Sequence, residues 1–292
     1  MSDKVVAIVT GASRGAGRGI AVALGSHGCT VYVTGRTENP GEYPVPGTIY
    51  ETAAAVTAAG GKGIAVRCDH ADDAQVHALF DQVRRDEGRV DILVNNAFAS
   101  HSALGMPGGF WEKPLELVDM LDVGLRSGYV ASWLAAPIMA GQRSGLIIFT
   151  SGSGGVHYAF GPAYGAQKAG SDKLAADMAV DLRGHDVAVL SIWMGLLMTE
   201  RVRMIIVSDP VKYGTLEDGA ETPELTGHVI WALHRDPDVM AMSGETVIGA
   251  EMAVKYGIQD AGGRQPLSRR DTHGVAPRVQ YAVKVERPGS KS

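Results

Sequence analysis

Short apolar runs alternate along this chain with longer segments in which apolar residues recur at helical spacing. Most of the short runs lack polar alternation, which is typical of strands that are covered on both faces of a sheet. Seven of them are predicted strands, which span Val5–Thr10, Thr30–Gly35, Gly63–Arg67, Ile92–Asn95, Leu146–Thr150, Val187–Trp193 and Thr246–Ile248. The longer segments predict helices at Gly17–Ser26, Ile49–Ala59, Ala74–Asp86, Glu116–Met139, Ala163–Arg183 and Pro223–Leu233.

This alternation predicts an α/β fold. Strand–helix–strand units with right-handed crossovers build a parallel, doubly wound sheet, here of seven strands with helices on both faces. Because the strands are spread over nearly the whole chain, we expect a single domain over residues 1–262, followed by a basic tail over residues 263–292. From Arg264 onward the sequence holds seven Lys and Arg against two Asp and Glu, a net charge of +5 that leaves −10 for the rest. We expect the tail in solvent, although it is also suited to packing on the acidic body or on a neighbouring subunit.

The composition limits the classes of function. The chain has 292 residues, of which 45% are hydrophobic and 20% charged, so a disordered chain is excluded. The net charge of −5 gives no electrostatic support for a nucleic-acid partner. Cys29 and Cys68 are the two cysteines, and neither a disulfide framework nor a metal site is predicted from them. No membrane span or signal peptide is visible, so we expect a cytoplasmic protein.

A glycine-rich turn directly follows the first predicted strand, in the sequence Thr10-Gly11-Ala12-Ser13-Arg14-Gly15-Ala16-Gly17. Gly11 allows a tight turn, Gly15 lets a pyrophosphate approach the backbone, and Gly17 permits close helix packing. The next helix offers its free N–H groups and the positive end of its dipole to an anion. A purely structural turn is the alternative, but the position on the first strand of an α/β chain favours a Rossmann-like dinucleotide site. Its predicted cofactor contacts are Gly11, Ser13, Arg14, Gly15, Ala16 and Gly17.

The end of the second strand bears on the choice between NAD(H) and NADP(H). An acidic residue about 20 positions beyond the glycines holds the ribose 2′-hydroxyl of NAD, whereas Arg36 stands there in this chain. A guanidinium binds phosphate through two parallel hydrogen bonds, so Arg36 and Arg14 favour NADP(H), unless Arg36 is a solvated strand end. Asp69 is placed to accept from the adenine amino group, and Asn95 is placed to hold the adenosine half. The remaining predicted cofactor contacts in this part of the chain are Thr37, His70 and Ala97.

A tyrosine and a lysine share one face of the helix predicted over residues 163–183. Tyr164 and Lys168 are four positions apart, which places the phenol and the ammonium on the same side. A tyrosine pKa near 10 must fall by roughly 3 units to reach neutrality, and a nearby ammonium and a cationic nicotinamide both act in that direction. Ser151 lies thirteen residues upstream at the carboxyl end of a strand. Its hydroxyl is placed to hold a substrate carbonyl that Tyr164 protonates.

Together these motifs resemble those of the short-chain dehydrogenase/reductase family, over residues 4 to 250. The matching positions are Thr10-Gly11-x₃-Gly15-x-Gly17, Cys68-Asp69, Asn95-Asn96-Ala97, Ser151, Tyr164-x₃-Lys168 and Gly195-x₃-Thr199. The resemblance implies that Ser151 orients the substrate, that Tyr164 is the general acid/base, and that Lys168 binds the nicotinamide ribose and lowers the tyrosine pKa. Hydride then passes between the nicotinamide and a carbonyl or alcohol carbon. The implied contacts with the nicotinamide carboxamide are Gly195, Leu197 and Thr199.

Three positions depart from the usual family pattern. Phe98 follows Asn-Asn-Ala in place of glycine, Met194 stands where proline is common after the sixth strand, and Gly124 replaces a common catalytic asparagine. Gly124 has no side chain to hold a proton-relay water. Either a further water or another residue takes over the role of the asparagine, or the proton relay is slower. The stretch around Gly124, together with Phe110-Trp111-Glu112 and Tyr256-Gly257-Ile258, resembles the branch that contains mammalian dehydrogenase/reductase family member 1. That branch implies NADPH-dependent reduction of apolar carbonyls.

Apolar and sulfur-bearing residues dominate the segments around the predicted catalytic residues, which predicts a small apolar ketone, aldehyde or alcohol as substrate. These residues are Phe98, His101, Met106, Phe110, Trp111, His157, Tyr158, Phe160, Met194, Leu196, Met198 and Met204–Val207. Two other functions stay open. One is a dinucleotide-binding sensor or scaffold with little turnover, and the other is a dehydration or epimerisation with no net consumption of NADPH.

The helix that carries Tyr164 has a second face of small residues, at Ala169, Ala175, Ala176 and Ala179. By family resemblance this face packs against a partner subunit in a homodimer or homotetramer. Burial inside one chain would give the same pattern, so the expected oligomer rests on the resemblance.

Overall fold

A seven-stranded sheet runs through the centre of the molecule in this computed structural model, which describes residues 4–281. Its strands are β1 (Val6–Val9), β2 (Thr30–Gly35), β3 (Lys62–Arg67), β4 (Ile92–Asn95), β5 (Gly145–Ser151), β6 (Val187–Trp193) and β7 (Thr246–Ile248). Neighbouring strands are all parallel and lie in the order β3-β2-β1-β4-β5-β6-β7. The chain reverses its direction across the sheet between β1 and β4, and open α/β sheets bind ligands at the carboxyl edge of such a switch point.

The apolar strand sequences follow from burial on both faces. Every residue of β1, β2, β4 and β6 is buried, whereas β3 at the edge of the sheet is partly exposed. Paired residues such as Val9 and Val94 bring the ends of β1 and β4 side by side. The loops that follow these two strands are therefore neighbours at the carboxyl edge.

Helices cover both faces of the sheet. They are α1 (Gly15–Ser26), α2 (Ile49–Ala58), α3 (Asp73–Glu87), α4 (Asp119–Leu121), α5 (Ser127–Gln142), α6 (Pro162–Leu182), α7 (Glu200–Ser208), α8 (Pro210–Tyr213), α9 (Pro223–Arg235), α10 (Gly249–Lys255) and α11 (Arg269–His273). α1, α2 and α9 share one core, which includes Ile20, Val56 and Val229, and α3, α5 and α6 share the other, with Phe80 and Ala135. The predicted doubly wound sheet is confirmed. Within residues 4–281, no helix combines the length and apolar character that a membrane span needs.

The helix predicted over residues 116–139 is divided into several pieces. A 3₁₀ turn at Leu115–Val118 leads into α4, a π-helical turn follows at Asp122–Arg126, and α5 begins at Ser127. π-Helical turns inside helices are frequent at functional sites. Four short helices, α7, α8, α10 and α11, have no counterpart in the predicted pattern. They span four to nine residues, which is too short for a clear apolar period.

The small-residue face of α6 is buried largely within the chain. Ala175 and Ala179 are fully buried in the core between α6 and the sheet, and Ala176 is 7% exposed. Three of the four alanines therefore serve the internal packing of the domain. The homo-oligomer stays a prediction from the family resemblance.

The first part of the basic tail packs on the body of the protein. Ser268 Oγ donates to Oε1 of Glu251 at 2.6 Å, and Nε of Arg270 donates to the same oxygen at 3.1 Å. The ring of His273 stacks on that of His157, with 6.1 Å between their centres. The described part of the tail is thus partly seated beside the carboxyl edge of the sheet. Residues 282–292, which carry three of its basic side chains, lie outside the described residues.

Candidate active site

The glycine-rich turn between β1 and α1 leaves no room for a side chain at Gly11 or Gly17. Gly11 and Gly15 have φ angles of +64° and +59°, which glycine adopts without strain. A Cβ atom on Gly17 would lie 2.4 Å from the carbonyl oxygen of Gly11, and one on Gly11 would lie 2.7 Å from the Cα of Ala97. Both distances are far inside van der Waals contact. The turn is therefore a cradle of bare backbone at the start of a helix.

The N-terminus of α1 already holds a negatively charged group. The backbone N–H of Gly15 donates to Oε2 of Glu200 at 2.8 Å, and Oε1 of Glu200 lies 3.4 Å from Nη1 of Arg18. Free N–H groups and the helix dipole stabilise an anion at such a position. Because carboxylates and phosphates use the same donors, the cradle fits the diphosphate of a dinucleotide. Glu200 carries no recognisable motif, and the sequence patterns did not identify it.

Thr10 ties the cradle to the end of β4. Its Oγ1 accepts hydrogen bonds from the N–H groups of Asn96 at 2.8 Å and Ala97 at 2.9 Å, while Nδ2 of Asn96 donates to the carbonyl oxygen of Thr10 at 2.9 Å. Asn95 instead points to α5, because its Nδ2 donates to Ser132 Oγ at 2.9 Å. The side chain predicted to hold the adenosine half is therefore buried in a structural contact. Asn96 is the neighbour that shapes the cradle.

Arg14 is committed to the proline-rich loop that follows β2. Its Nη2 donates to Thr37 Oγ1 at 2.9 Å and to the carbonyl oxygen of Gly47 at 2.6 Å, and its Nε donates to that of Pro46 at 3.3 Å. The guanidinium also lies 4.7 Å from the centre of the Tyr43 ring, a cation–π contact. Arg14 thus fastens the loop to the cradle. A nucleotide phosphate would have to share this guanidinium with four loop residues.

Arg36 stays at the surface, beside the segment that follows β3. Its side chain is 62% exposed and its Nη1 lies 3.6 Å from Oδ2 of Asp69, whose Oδ1 accepts from the N–H of Ala71 at 3.0 Å. The imidazole of His70 is buried, with Nε2 2.8 Å from Thr34 Oγ1, and burial lowers its pKa to about 4. The His70 side chain is therefore buried in the core, and its contact with a cofactor stays a prediction. The Arg36 guanidinium, in contrast, is exposed where a nucleotide phosphate can reach it.

Tyr164 and Lys168 lie side by side on α6. The ammonium of Lys168 is 5.5 Å from the ring centres of both Tyr164 and Phe98, and it donates to the carbonyl oxygen of Thr150 at 3.3 Å. Phe98 and Phe160 pack edge-on against the Tyr164 ring, at centre distances of 6.2 Å and 5.1 Å. The phenol is thus held in an aromatic frame beside a buried cation.

Burial has the largest effect on the pKa of both Tyr164 and Lys168. The pKa of Tyr164 is raised above its usual value, because burial disfavours the phenolate more than the charge of Arg269 favours it. The sequence analysis expected a lowered pKa, because it weighed the nearby ammonium and a cationic nicotinamide and left out the loss of water around the phenol. Burial lowers the pKa of Lys168 to about 8, against the opposing charge of Asp172. At neutral pH the phenol keeps its proton and the ammonium is largely charged.

Ser151 ends β5, but its hydroxyl points to the backbone of α6. Ser151 Oγ donates to the carbonyl oxygen of Lys168 at 3.2 Å, and the residue is 2% exposed. Gly152 is the residue that faces the phenol, since a Cβ there would lie 3.6 Å from the Tyr164 hydroxyl. Successive residues of a strand alternate between its two sides, which carries Ser151 away from the phenol. To hold a substrate carbonyl, the Ser151 hydroxyl would have to leave the Lys168 carbonyl.

A buried acid lies one helical turn beyond Lys168. Oδ1 of Asp172 accepts from Ser191 Oγ at 2.6 Å, and Oδ2 accepts from Nε1 of Trp193 at 3.0 Å. Burial raises the pKa of Asp172, and hydrogen bonds with Ser191, Trp193 and Ser151 together with the Lys168 charge oppose that rise. The four-residue spacing from Lys168 was visible in the sequence, but nothing there indicated that Asp172 is buried.

An apolar cavity of about 320 Å³ opens next to Tyr164. Its walls come from the segment after β4 and from the start of α6, and the lining side chains include Leu104, Phe110, Trp111, Leu117, Met120 and Phe160. Small-molecule sites commonly have about this size or somewhat more. Phe110, Trp111 and Phe160 are among the predicted substrate contacts. Met204 and Ile205 of α7, which were also predicted, are exposed to solvent outside the cavity.

Comparison with known proteins agrees with this geometry. A family model described as short chain dehydrogenase matches residues 5–206. The chain belongs to the short-chain dehydrogenase/reductase family. Dehydrogenase/reductase SDR family member 1 from Mus musculus is 39% identical over 89% of this chain and 84% of the relative, and the Homo sapiens protein of that name is 38% identical over the same shares. A short-chain type dehydrogenase/reductase from Mycobacterium marinum superposes with a TM-score of 0.69 at 25% identity, covering 84% of this chain and 93% of that one. The predicted family and branch are confirmed.

In this short-chain dehydrogenase/reductase, Gln167 fills the space beside Gly124. A Cβ on Gly124 would lie 2.9 Å from Cγ of Gln167. Nε2 of Gln167 donates to the carbonyl oxygen of Gly124 at 2.8 Å and to Ser171 Oγ at 3.1 Å, and Gln167 is 2% exposed. Gly124 and Gln167 therefore act as a fitted pair where the family commonly has asparagine. The sequence patterns did not identify Gln167.

The segment between β6 and α7 lies next to the glycine-rich cradle. Thr199 caps α7, its Oγ1 accepting from the N–H of Val202 at 3.4 Å, and a Cβ on Gly15 would lie 3.7 Å from Cγ2 of Thr199. Leu197 is 7% exposed and forms an isolated parallel bridge with Glu221. The positions expected to hold the carboxamide and those expected to hold the diphosphate therefore lie next to each other.

Proposed function

We propose that this family member is an NADP(H)-dependent oxidoreductase that transfers a hydride between the nicotinamide and a carbonyl or alcohol carbon of a small apolar substrate. The observation that carries the proposal is the position of Tyr164. Its side chain borders the apolar cavity, and its ring centre lies 5.5 Å from the Lys168 ammonium. A proton donor, a buried cation and an apolar volume thus meet at the carboxyl edge of the sheet, where such folds bind ligands.

The chain's own residues support a dinucleotide along this edge. The backbone of the glycine-rich cradle would hold the diphosphate, Lys168 the nicotinamide ribose, and the segment from Gly195 to Thr199 the carboxamide. Arg36 borders a polar groove of about 730 Å³, whose lining also includes Arg126 and the carboxylates of Asp72, Asp73, Asp119 and Asp122. The exposed guanidinium of Arg36 is the group that would bind the 2′-phosphate of NADP(H) there, against the charge of these carboxylates. The bound nicotinamide would supply or accept the hydride.

Proton transfer falls to Tyr164. Because its pKa is raised, the phenol is protonated at neutral pH and can donate to the oxygen of a carbonyl as hydride adds to the carbon. The Lys168 ammonium then stabilises the phenolate that forms. The arrangement favours reduction of a carbonyl near neutral pH. Ser151 contributes a second donor to the carbonyl if its hydroxyl turns from the α6 backbone.

Tyr164→Phe tests this function. The variant should lose NADPH oxidation with a panel of apolar aldehydes and ketones, while its affinity for NADPH, measured by cofactor fluorescence, stays within a factor of a few of wild type. Tyr129→Phe is the matched control, because Tyr129 lies on α5, is 51% exposed and is outside the cavity. Undiminished turnover by Tyr164→Phe would remove the proposed acid/base.

A dinucleotide-binding sensor or scaffold is the second candidate function. It is favoured by the Ser151 hydroxyl, which is bound to the Lys168 carbonyl and not directed at the phenol. NADPH binding by the wild type without turnover of any compound in the panel would support this candidate. The cytoplasmic location and the homodimer or homotetramer remain predictions.

A further inference from the structure

One residue far along the chain holds the segment between β6 and α7. The N–H of Glu221 donates to the carbonyl oxygen of Leu196 at 2.7 Å, and the carbonyl oxygen of Glu221 accepts from the N–H of Met198 at 2.8 Å. The N–H of Gly195 donates to Oε2 of the Glu221 carboxylate at 3.1 Å. Glu221 therefore fixes this loop through both its main chain and its side chain.

The carboxylate of Glu221 occupies the inner side of the loop. A Cβ on Gly195 would lie 2.2 Å from Oε1 of Glu221, so glycine is needed there to admit the carboxylate. Glu221 is itself only 2% exposed. A buried carboxylate needs a hydrogen-bond donor, because a buried charge without a partner is costly. The contact with the Gly195 N–H therefore fixes where the loop lies relative to Glu221.

Charged groups from two other segments face this carboxylate. Arg269 of α11 favours its ionised form, and Asp260, which follows α10, disfavours it. Asp260 is occupied by Thr222 and Arg264: its Oδ2 accepts from the Thr222 N–H at 2.9 Å and lies 3.3 Å from Nη2 of Arg264. Burial is the largest effect, and it raises the pKa of Glu221 to about 7. The carboxylate therefore changes its charge within the physiological range.

We propose that Glu221 is a positioning residue for the nicotinamide half of the cofactor, whose carboxylate holds the loop from Gly195 to Met198 in its binding shape. This inference rests on the proposed function for the role of the loop. The negative carboxylate accepts more strongly from the Gly195 N–H than a protonated carboxyl does. Arg269 lies in α11, which is held against the body by hydrogen bonds from Ser268 and Arg270 to Glu251. A charged residue of the basic tail therefore acts electrostatically on Glu221.

Glu221→Gln is the primary test, because glutamine keeps the size and the main-chain contacts and removes the ionisation. The dissociation constant of NADPH is measured by cofactor fluorescence from about pH 5.5 to about pH 8.5, a range that spans the Glu221 titration. Since NADPH carries its own titrating phosphate, the decisive quantity is the ratio of the variant's constant to that of the wild type. This ratio should be near one at the acid end and rise to roughly five- to tenfold at the basic end. Glu217→Gln, on an exposed nearby residue, should keep the ratio near one throughout.

Three further readouts separate a positioning role from a merely structural one. Amide hydrogen exchange of residues 195–198 at basic pH should be faster in Glu221→Gln than in wild type, also without nucleotide. Glu221→Gln should be more resistant to unfolding than wild type above pH 7, because it removes a buried charge, and should lose that advantage in acid. In steady-state assays the KM for NADPH should rise more than kcat falls.

The outcomes are distinguishable from those of the proposed function. The role of Glu221 is overturned if the ratio of the two NADPH dissociation constants does not change with pH. It is also overturned if the amides of residues 195–198 exchange hydrogen equally fast in Glu221→Gln and in wild type. If the wild type binds no nicotinamide dinucleotide at any pH, the proposed function fails. The exchange comparison in nucleotide-free protein then still decides whether Glu221 holds the loop.

Discussion

Replacing Gly124 with alanine tests whether this glycine makes room for Gln167. The new Cβ would lie 2.9 Å from Cγ and 3.1 Å from Cδ of Gln167, whereas ordinary contacts begin at 3.4 Å, so the glutamine must retreat by about 0.5 Å. Overpacking of this kind costs about 1–3 kcal/mol. Weakening the hydrogen bond from Nε2 to the Gly124 carbonyl costs about 1 kcal/mol more, and the better helix propensity of alanine returns about as much. We therefore expect the free energy of unfolding to fall by about 1–3 kcal/mol.

Urea unfolding of the wild type, Gly124→Ala, Gln167→Ala and the double variant measures this effect. With Gln167 truncated, the alanine at position 124 meets no obstacle and should stabilise the protein by up to about 1 kcal/mol. The coupling energy between the two sites is then about 1–4 kcal/mol. Gly141→Ala on α5 is the matched control, because a Cβ there meets no atom within 4 Å and should be neutral or stabilising. If Gly124→Ala has the same effect in both backgrounds, the fitted pair does not exist.

Three other predictions concern the nucleotide site and acid stability. Arg36→Asp should shift the ratio of dissociation constants away from NADP(H) and toward NAD(H), because a carboxylate repels a 2′-phosphate and accepts from a 2′-hydroxyl; an unchanged ratio contradicts the assignment. Glu200→Gln should tighten NADPH binding roughly threefold or more at low salt and less at high salt, since it removes a negative charge from the cradle. Weaker binding would show instead that this carboxylate supports the nucleotide. The folded His70 has a pKa of about 4, below that of the unfolded chain, so stability should fall by about 3 kcal/mol as the pH drops from about 6.5 to about 4. Urea unfolding of His70→Asn should show a shallower decline over this range, and equal slopes would contradict the reasoning.

Features with a local cause could be predicted from the sequence. The cradle glycines follow from the turn between a strand and a helix, and the pairing of Tyr164 with Lys168 follows from helix geometry alone. All seven strands begin and end within one residue of their predicted bounds. These features depend on residues that are close in sequence, so a pattern within a short window contains them.

Features that depend on distant residues could not be predicted. Arg14 is held by a loop more than twenty residues away, and the direction of Ser151 depends on which side of β5 packs on α6. Gln167 is 43 positions from Gly124, and Glu221 is 26 positions from Gly195. In the last two cases a glycine stands where a Cβ would collide with the distant partner. Glycine alone does not indicate such a partner, since a Cβ on Gly141 of α5 would meet no atom within 4 Å.

The pKa shifts of Tyr164 and Lys168 bear on whether the protein reduces a carbonyl or oxidises an alcohol. An acid that gives its proton to a carbonyl must be protonated before the reaction, and the raised pKa of Tyr164 secures this at neutral pH. Oxidation of an alcohol needs the phenolate, which burial disfavours, so this direction depends on the cations around the phenol. Lys168 is one of them, but with a pKa of about 8 it loses its charge before the pH reaches the usual range of a tyrosine, which burial moves higher still for Tyr164. Arg269 is another, and its charge favours the phenolate. The C-terminal segment therefore supplies a cation to the phenol, in addition to the one on the helix that carries the catalytic pair.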